Sequence, residues 1–337
     1  MPDPLGRVDL RSDTVTRPTP AMRRAMAEAE VGDDGFGDDP TVNRLQATFG
    51  ELVGKEAALF VPSGTMANQI ALRLLGRPGT VVLTGRRQHV VVREAGATGA
   101  NAAAQLVTLD DVDGTLDPAE VARWQADSRV GWAAPSAVLV EDTHGEAGGR
   151  VWPLDRLQAV CALGLPVHLD GARLWNAAVA SGTSMRDRAA PATTVTCCVS
   201  KGLGAPVGSL LAGPADLIAQ ARVERKRLGG GMRQVGVLAA AGLVALERVE
   251  RLADDHARAR QLAEAAAARW PGSVVPADVH TNILRIEHAD PGALLVHLAA
   301  AGVLAVPASA TTVRLVTHAD VDDEDVERVV AALEAAP

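Results

Sequence analysis

Three stretches of this 337-residue chain have the residue types and spacing to do chemistry. Ser200-Lys201-Gly202-Leu203-Gly204 follows an apolar run ending at Val199, so the Lys201 amine projects from a strand terminus into a tight glycine-rich loop. Partial desolvation there favours the uncharged, nucleophilic amine, which imine formation with an aldehyde requires. His168-Leu169-Asp170-Gly171-Ala172-Arg173 places Asp170 at the carboxyl end of another apolar run, where open parallel sheets bind their ligands. A carboxylate so placed can keep a ring nitrogen protonated, so that the ring withdraws electrons. Pro62-Ser63-Gly64-Thr65 leads into a helical pattern through Met66, Ile70 and Leu74, turning backbone N–H groups and a hydroxyl toward an anion.

Each motif alone has an ordinary structural reading. Lys201 can cap a turn, Asp170 can N-cap the next helix, and Ser-Gly-Thr is a common helix start. His168 shares Asp170's face by strand alternation and reads as a hydrogen-bonded strand histidine. Together, an amine, a ring-nitrogen carboxylate and a phosphate cup are what pyridoxal 5'-phosphate (PLP) needs. The scarcity of lysine sharpens this: Lys55, Lys201 and Lys226 are the lysines among 33 basic residues, and arginine cannot form a Schiff base. The run Gly202 to Gly208 has the wrong spacing for a dinucleotide fingerprint and leads into a strand, which excludes a nicotinamide cofactor. Asp320 to Asp325 lacks the central glycine and terminal glutamate of a calcium loop and is expected to cap the last helix. No His, Asp or Cys cluster has metal-ligand spacing, so no metal is expected.

A net charge of -8 argues against nucleic acid as the main partner, while 47% hydrophobic residues suit a globular protein. Cys161, Cys197 and Cys198 are too few and too close for a disulfide framework and point to a reducing, cytoplasmic setting. The acidic and basic N-terminus lacks the apolar core of a signal peptide, and no stretch approaches a membrane span.

Positioning these residues falls to short apolar runs at 58–61, 81–84, 105–109, 137–141, 166–170, 194–199 and 209–212, each expected to be a buried strand. Helical patterns between them, opened by Asp39-Pro40 and Asp117-Pro118, imply an α/β fold with a mostly parallel, covered sheet. From Gln234 a long helical stretch leads to strands at 282–287, 302–306 and 312–316 around a helix beginning near Pro291. The expected division is an N-terminal segment 1–20, a large domain 21–250 and a smaller C-terminal α/β domain 251–337.

The chain resembles the L-threonine aldolases, in the aromatic amino acid β-eliminating lyase/threonine aldolase group of PLP enzymes. The resemblance rests on the run Asp9 to Pro18, Val31-Gly32-Asp33-Asp34, Gly37 to Pro40, the Ser-Gly-Thr cup, the His89 and Glu94 segment, Thr143-His144, Asp170 to Asn176, the Lys201 loop, Gly229 to Gln234, and Val313 to His318. It implies the aspartate-aminotransferase-like fold (fold type I) with a seven-stranded sheet. Lys201 would be the Schiff-base lysine, Asp170 the ring-nitrogen partner and His89 the ring stacked on the cofactor, with Ser63, Gly64 and Thr65 at the phosphate. Ser12, Arg173 and Arg314 would clamp the substrate carboxylate, and His144 would face the β-hydroxyl. Lys226 and Arg233 would reach the phosphate in a neighbouring subunit, which implies a homo-oligomer, dimer or tetramer, with its site at the dimer interface. The other reading of that pair is a solvated basic helix end.

The implied reaction is cleavage of threonine, allo-threonine and related β-hydroxy-α-amino acids to glycine and an aldehyde, with His144 or His89 as base. Family members commonly carry tyrosine where Phe36 and Val91 stand and asparagine where Gly145 stands, and this chain has no tyrosine. Those departures bear on substrate preference. The alternatives are other PLP-dependent α-carbon chemistry such as β-elimination, or a catalytically silent PLP-fold protein.

Overall fold

The computed structural model describes residues 6–336; residues 1–5, part of the expected N-terminal segment, and Pro337 lie outside the described residues. The strands in chain order are β1 (Val8–Asp9), β2 (Ala57–Val61), β3 (Val81–Gly85), β4 (Gln105–Leu109), β5 (Pro135–Glu141), β6 (Val167–Asp170), β7 (Thr194–Cys198), β8 (Ser209–Gly213), β9 (Ile283–Glu287), β10 (Val303–Leu304), β11 (Val306–Pro307) and β12 (Thr312–Val316). Seven of them form one sheet in the order β2-β8-β7-β6-β5-β3-β4. Only β8 runs antiparallel to its neighbours, so the sheet is mostly parallel, as the alternation of strands and helices implies.

Parallel strands are covered on both faces, and β3, β6, β7 and β8 are buried at every position. The helices that cover them start where short polar side chains catch free N–H groups. Asp39 accepts from Thr41 and Val42 at the start of α2 (Pro40–Val53), which follows α1 (Pro20–Ala27). Ser63 accepts from Met66 at the start of α3 (Gly64–Leu75), and α4 (His89–Val92) is a single turn. Asp117 caps α5 (Pro118–Asp127) in the same way as Asp39 caps α2. Next come α6 (Leu154–Cys161), α7 (Leu174–Ser181), α8 (Met185–Ala189) and α9 (Ala215–Arg227). The helical stretch after Gln234 is two helices, α10 (Gly236–Leu246) and α11 (Leu252–Arg269).

Around β9, β11 and β12 a three-stranded antiparallel sheet packs with α11, α12 (Pro291–Ala300) and α13 (Asp323–Glu334). Asp322 and Asp325 form a capping box at the start of α13, so the acidic run does cap the last helix. The strand expected over 302–306 is split in two. Val303–Leu304 pairs with β1, whereas Val306–Pro307 pairs with β12, and one straight strand cannot serve both partners. Val8 and Leu10 therefore join the apolar cluster of Leu262, Leu284, Leu294, Leu315 and Val326, and the N-terminal strand is built into the C-terminal unit. Among the described residues no helix is long and apolar enough to cross a membrane.

Gly208 closes the loop that carries Lys201: its carbonyl accepts from Val199 N–H at 3.1 Å and from the Ser200 hydroxyl at 3.2 Å. It sits at φ +121°, and a Cβ there would lie 2.3 Å from the ring of buried Phe60. Gly208→Ala should therefore cost about 2 kcal/mol or more through strain and overpacking. The check is the midpoint of urea unfolding; an unshifted midpoint would show that the loop yields without cost.

Candidate active site

The carboxyl ends of β5, β6 and β7 converge with the first turns of α3 and α4 around a pocket of about 200 Å³. Ser63, Gly64, Thr65, Asn68, His89, Glu141, Thr143, Asp170, Arg173, Cys198 and Lys201 all line it. A second pocket, of about 230 Å³, shares Thr14, His89, Glu141, Arg173 and Lys201 with the first and adds Ser12, Arg93, Gly145, Glu146, Ile283 and Arg314. Residues separated by as many as 302 positions, Ser12 and Arg314, thus line two adjoining pockets that share five residues. Larger hollows exist, one of about 760 Å³ around Trp270 and His288, but their linings hold no comparable set of an amine, carboxylates and arginines.

On one side the groups are buried and fully engaged. Asp170 accepts from Asn68 Nδ2 at 2.7 Å and from the backbone N–H of Ala172 at 3.1 Å. Glu94 accepts from Asn68 at 2.8 Å and Gln69 at 2.7 Å, and its Oε1 lies 3.0 Å from His89 Nδ1. Burial disfavours a charged His89, yet the bond to Glu94 and the Asp170 and Glu141 charges outweigh it and raise the ring's pKa. Folding also brings ligand atoms of His89, Glu94 and Asp170 within 4.8 Å of one another, a grouping that their sequence spacing hides. Those atoms already serve this hydrogen-bond network.

The other side is arginine-rich. Arg173 donates through Nε and Nη2 to the two carboxylate oxygens of buried Asp13, at 2.7 and 2.6 Å. Burial opposes the charge on Asp13, but Arg173 overcomes it and holds that carboxyl far below the usual range. Arg314 donates from Nη2 to the Arg11 carbonyl at 3.0 Å, while its Nε is buried without a hydrogen-bond partner among the described residues. At the mouth, Arg93 donates twice to Glu146, at 2.8 and 2.5 Å, and Arg285 donates to the same carboxylate at 3.1 Å.

Residues 9–289 match the family model described as beta-eliminating lyase. The chain belongs to that family. It is 42% identical to the low specificity L-threonine aldolase of Escherichia coli strain K12 over 331 residues, covering 96% of this chain and 97% of that one. Low-specificity L-threonine aldolase 1 of Arabidopsis thaliana is 39% identical, with 98% and 96% covered. A solved threonine aldolase from Leishmania major superposes with a TM-score of 0.82 at 22% identity, covering 97% of this chain and 98% of that one, which speaks to the fold. The chain is accordingly a PLP-dependent lyase of the aspartate-aminotransferase-like fold.

The residues present fit that cofactor. An amine, an acceptor-only carboxylate, an imidazole and the open N-terminus of a twelve-residue helix line one small pocket. The cup is close-packed at Gly64, where a Cβ would lie 3.0 Å from Cys198 Sγ and the thiol would have to shift. The buried Thr143 hydroxyl on the same wall has no hydrogen-bond partner among the described residues.

Three of the site residues singled out in the sequence lie outside the two pockets of the chain. His144 lines neither pocket: its ring is fully buried, Nε2 lies 2.9 Å from Asp111 Oδ2, and Nδ1 accepts from Ala147 N–H. Burial disfavours its charged form, but the Asp111 bond raises its pKa, and with Nδ1 accepting and Nε2 facing Asp111 both ring nitrogens are engaged within the chain. Lys226 and Arg233 are exposed and do not enter the chain's own pocket; Arg233 lies 3.9 Å from Asp33. Lys55 donates to the carbonyls of Ala190 and Ala192, a structural task. Asp13, Asn68, Glu141, Arg93 and Glu146 had no individual role in the sequence motifs. Glu141, which accepts from the backbone N–H groups of His89 at 2.6 Å and Gly145 at 2.8 Å, sits at a strand's carboxyl end as Asp170 does, and that was the available signal.

Glu94→Gln should lower the pKa of His89, because it removes the carboxylate that outweighs burial. At a given pH near neutrality, less of the ring would then be charged. NMR titration of the His89 imidazole checks this, and an unmoved curve would remove Glu94 from the account.

Proposed function

We propose that the chain cleaves L-threonine, L-allo-threonine and related β-hydroxy-α-amino acids between Cα and Cβ, giving glycine and an aldehyde. The observation that carries this reading is the pair of adjoining pockets, both lined by Lys201, His89 and Arg173, one of which holds Asp170 and the other Ser12 and Arg314. Relatives named low-specificity L-threonine aldolases, matched over nearly their whole length, support it.

Lys201 would hold PLP through its amine, Asp170 would meet the ring nitrogen, His89 would lie on the ring, and the Ser63-Gly64-Thr65 turn would take the phosphate. When bound, PLP supplies the electron sink for the pair freed as the carbon–carbon bond breaks. Ser12, Arg173 and Arg314 take the substrate carboxylate. Asp13 fixes two nitrogens of Arg173 and so orients the fork, while Arg314 lines the pocket beside it. His89 accepts the β-hydroxyl proton at Nε2, since its Nδ1 is engaged by Glu94, and the raised basicity suits that task. Glu141 holds the backbone of both His89 and Gly145 and so sets the distance between the two walls. A proton delivered to Cα completes glycine.

We further propose a homodimer, and a tetramer built from it, in which Lys226 and Arg233 reach the phosphate held by the other subunit. Their exposure, and that of Phe36 at 83% on the neighbouring loop, supports this. The free, buried thiols of Cys197 and Cys198 suit a reducing cytoplasm. A division of the chain near residues 20 and 250 remains part of the same proposal, with the first segment tied to both units.

With L-threonine, the PLP-loaded protein should release acetaldehyde and glycine in equal amounts. Ammonia and a 2-oxo acid in their place would mean β-elimination. Lys201→Ala should slow glycine formation by about 10³-fold or more. Arg314→Ala should raise the KM for threonine by about 10- to 100-fold with a smaller change in kcat, as for a lost carboxylate contact. An unchanged KM would move the clamp elsewhere.

A further inference from the structure

Behind Asp170 lies a row of buried side chains that the proposed chemistry does not use: Asn68, His168 and Thr194. The amide of Asn68 fixes the direction of its bonds. Its Nδ2 is 2.7 Å from Asp170 Oδ2 and 2.8 Å from Glu94 Oε1, and ionised carboxylates only accept, so both amide protons are committed. Turning the amide over would set its oxygen against two carboxylates. Asn68 Oδ1 therefore needs a donor, and His168 Nε2 stands 3.0 Å away. With its proton on Nε2, His168 accepts at Nδ1 from the Thr194 hydroxyl at 2.9 Å. Burial keeps this ring neutral, drawing its pKa down to about 4, only partly opposed by Asp170.

We propose that Asn68 and His168 are positioning residues, one neutral amide yoking the carboxylate set for the ring nitrogen to the carboxylate that holds His89. The proposal rests on the roles given above to Asp170 and His89. Its physical content is that a buried carboxylate needs donors to stay ionised, but a charged donor would compete with the cofactor's ring nitrogen for it. An amide strengthens the anion without neutralising it. Lys201, His89 and Glu141 line the pocket on the other side of Asp170, and of these His89 joins the network through Glu94 Oε1. Rotating Asn68 would break its bonds to Asp170, Glu94 and His168 together, so Asp170 and His89 keep one mutual geometry.

The test uses full-length protein reconstituted with PLP carrying ¹⁵N in the ring. Ring-nitrogen protonation is followed by NMR between about pH 6 and 9, and cofactor Kd by equilibrium dialysis. Wild type should keep the nitrogen protonated throughout. Asn68→Ala should lose that proton within the range and raise the cofactor Kd about tenfold or more. Thr194→Val, which deprives His168 of its donor, should fall between the two, and Thr194→Ser, which keeps a hydroxyl, should match wild type. A folded Asn68→Ala protein, judged by its cofactor-free thermal midpoint, that keeps both the protonated signal and the Kd would overturn the proposal. If Asn68→Ala does not fold, identical behaviour of Thr194→Val and Thr194→Ser would overturn it instead. Asp170→Asn separates the underlying reading: if that change leaves the ring nitrogen protonated, Asp170's own assignment fails, whatever Asn68 does.

Discussion

Asp13, Glu94, Glu141 and Asp170 all lie buried along the carboxyl edge of one sheet, and a buried carboxylate is tolerated only where the protein supplies donors for it. Asp13 takes a bidentate arginine and Asp170 an amide and a backbone N–H. Glu94 takes two amides and an imidazole, and Glu141 two backbone N–H groups. The donors come from α3, from α4 and from the loop after β6, with Gly145 beyond β5, so the requirement fixes how α3, α4, the N-terminal residues and the loop after β6 meet. Negative charge gathered on the rear and lower walls also leaves the cationic Lys201, Arg173 and Arg314 facing the hollow. The polarity of the site thus follows from the same requirement that orders the segments around it.

Asp13 shows how far the constraint reaches. The residues before it pair with β10 and pack in the C-terminal cluster, while Asp13 itself binds Arg173 at the head of α7 and accepts from Asn282 ahead of β9 at 3.3 Å. The N-terminal segment therefore ties the C-terminal unit to the large sheet at the point where the substrate carboxylate is proposed to sit. Glu146 repeats the device at the mouth by joining Arg93 of the large unit to Arg285 on β9. Movement of one unit against the other would strain both ion pairs and alter the clamp.

The local chemistry of the sheet was legible in the sequence because a strand covered on both faces must be a continuous apolar run. All seven such runs became strands of one sheet. The capped helix starts at Asp39 and Asp117 were legible for the same local reason. Lys201, Asp170 and the Ser63 turn were found because each ends a strand or opens a helix beside glycine. Asn68 and Asp13 were not, since a buried amide in mid-helix and an aspartate in a polar N-terminal run look ordinary until their partners, 102 and 160 residues away, are known. His144 was singled out only through the resemblance, and in the fold its ring meets Asp111, 33 residues away in sequence, outside the two pockets. The split of 302–306 also depends on two partners that no local pattern names.

The two halves of the hollow differ in what holds them. On the cofactor side the carboxylates and amides are buried, and removing one partner there leaves a costly orphan. At the substrate mouth, Arg93 is 47% exposed, and ion pairs of that kind contribute little to stability. Gly145 and Glu146 lie on the same rim. Substitution at the rim can therefore change which β-substituent is accepted without disturbing the sheet edge or the groups proposed to grip the ring. A chain without tyrosine can keep the carbon–carbon chemistry of its family if, as proposed, Lys201, Asp170 and His89 carry that chemistry, because none of those roles calls for a tyrosine.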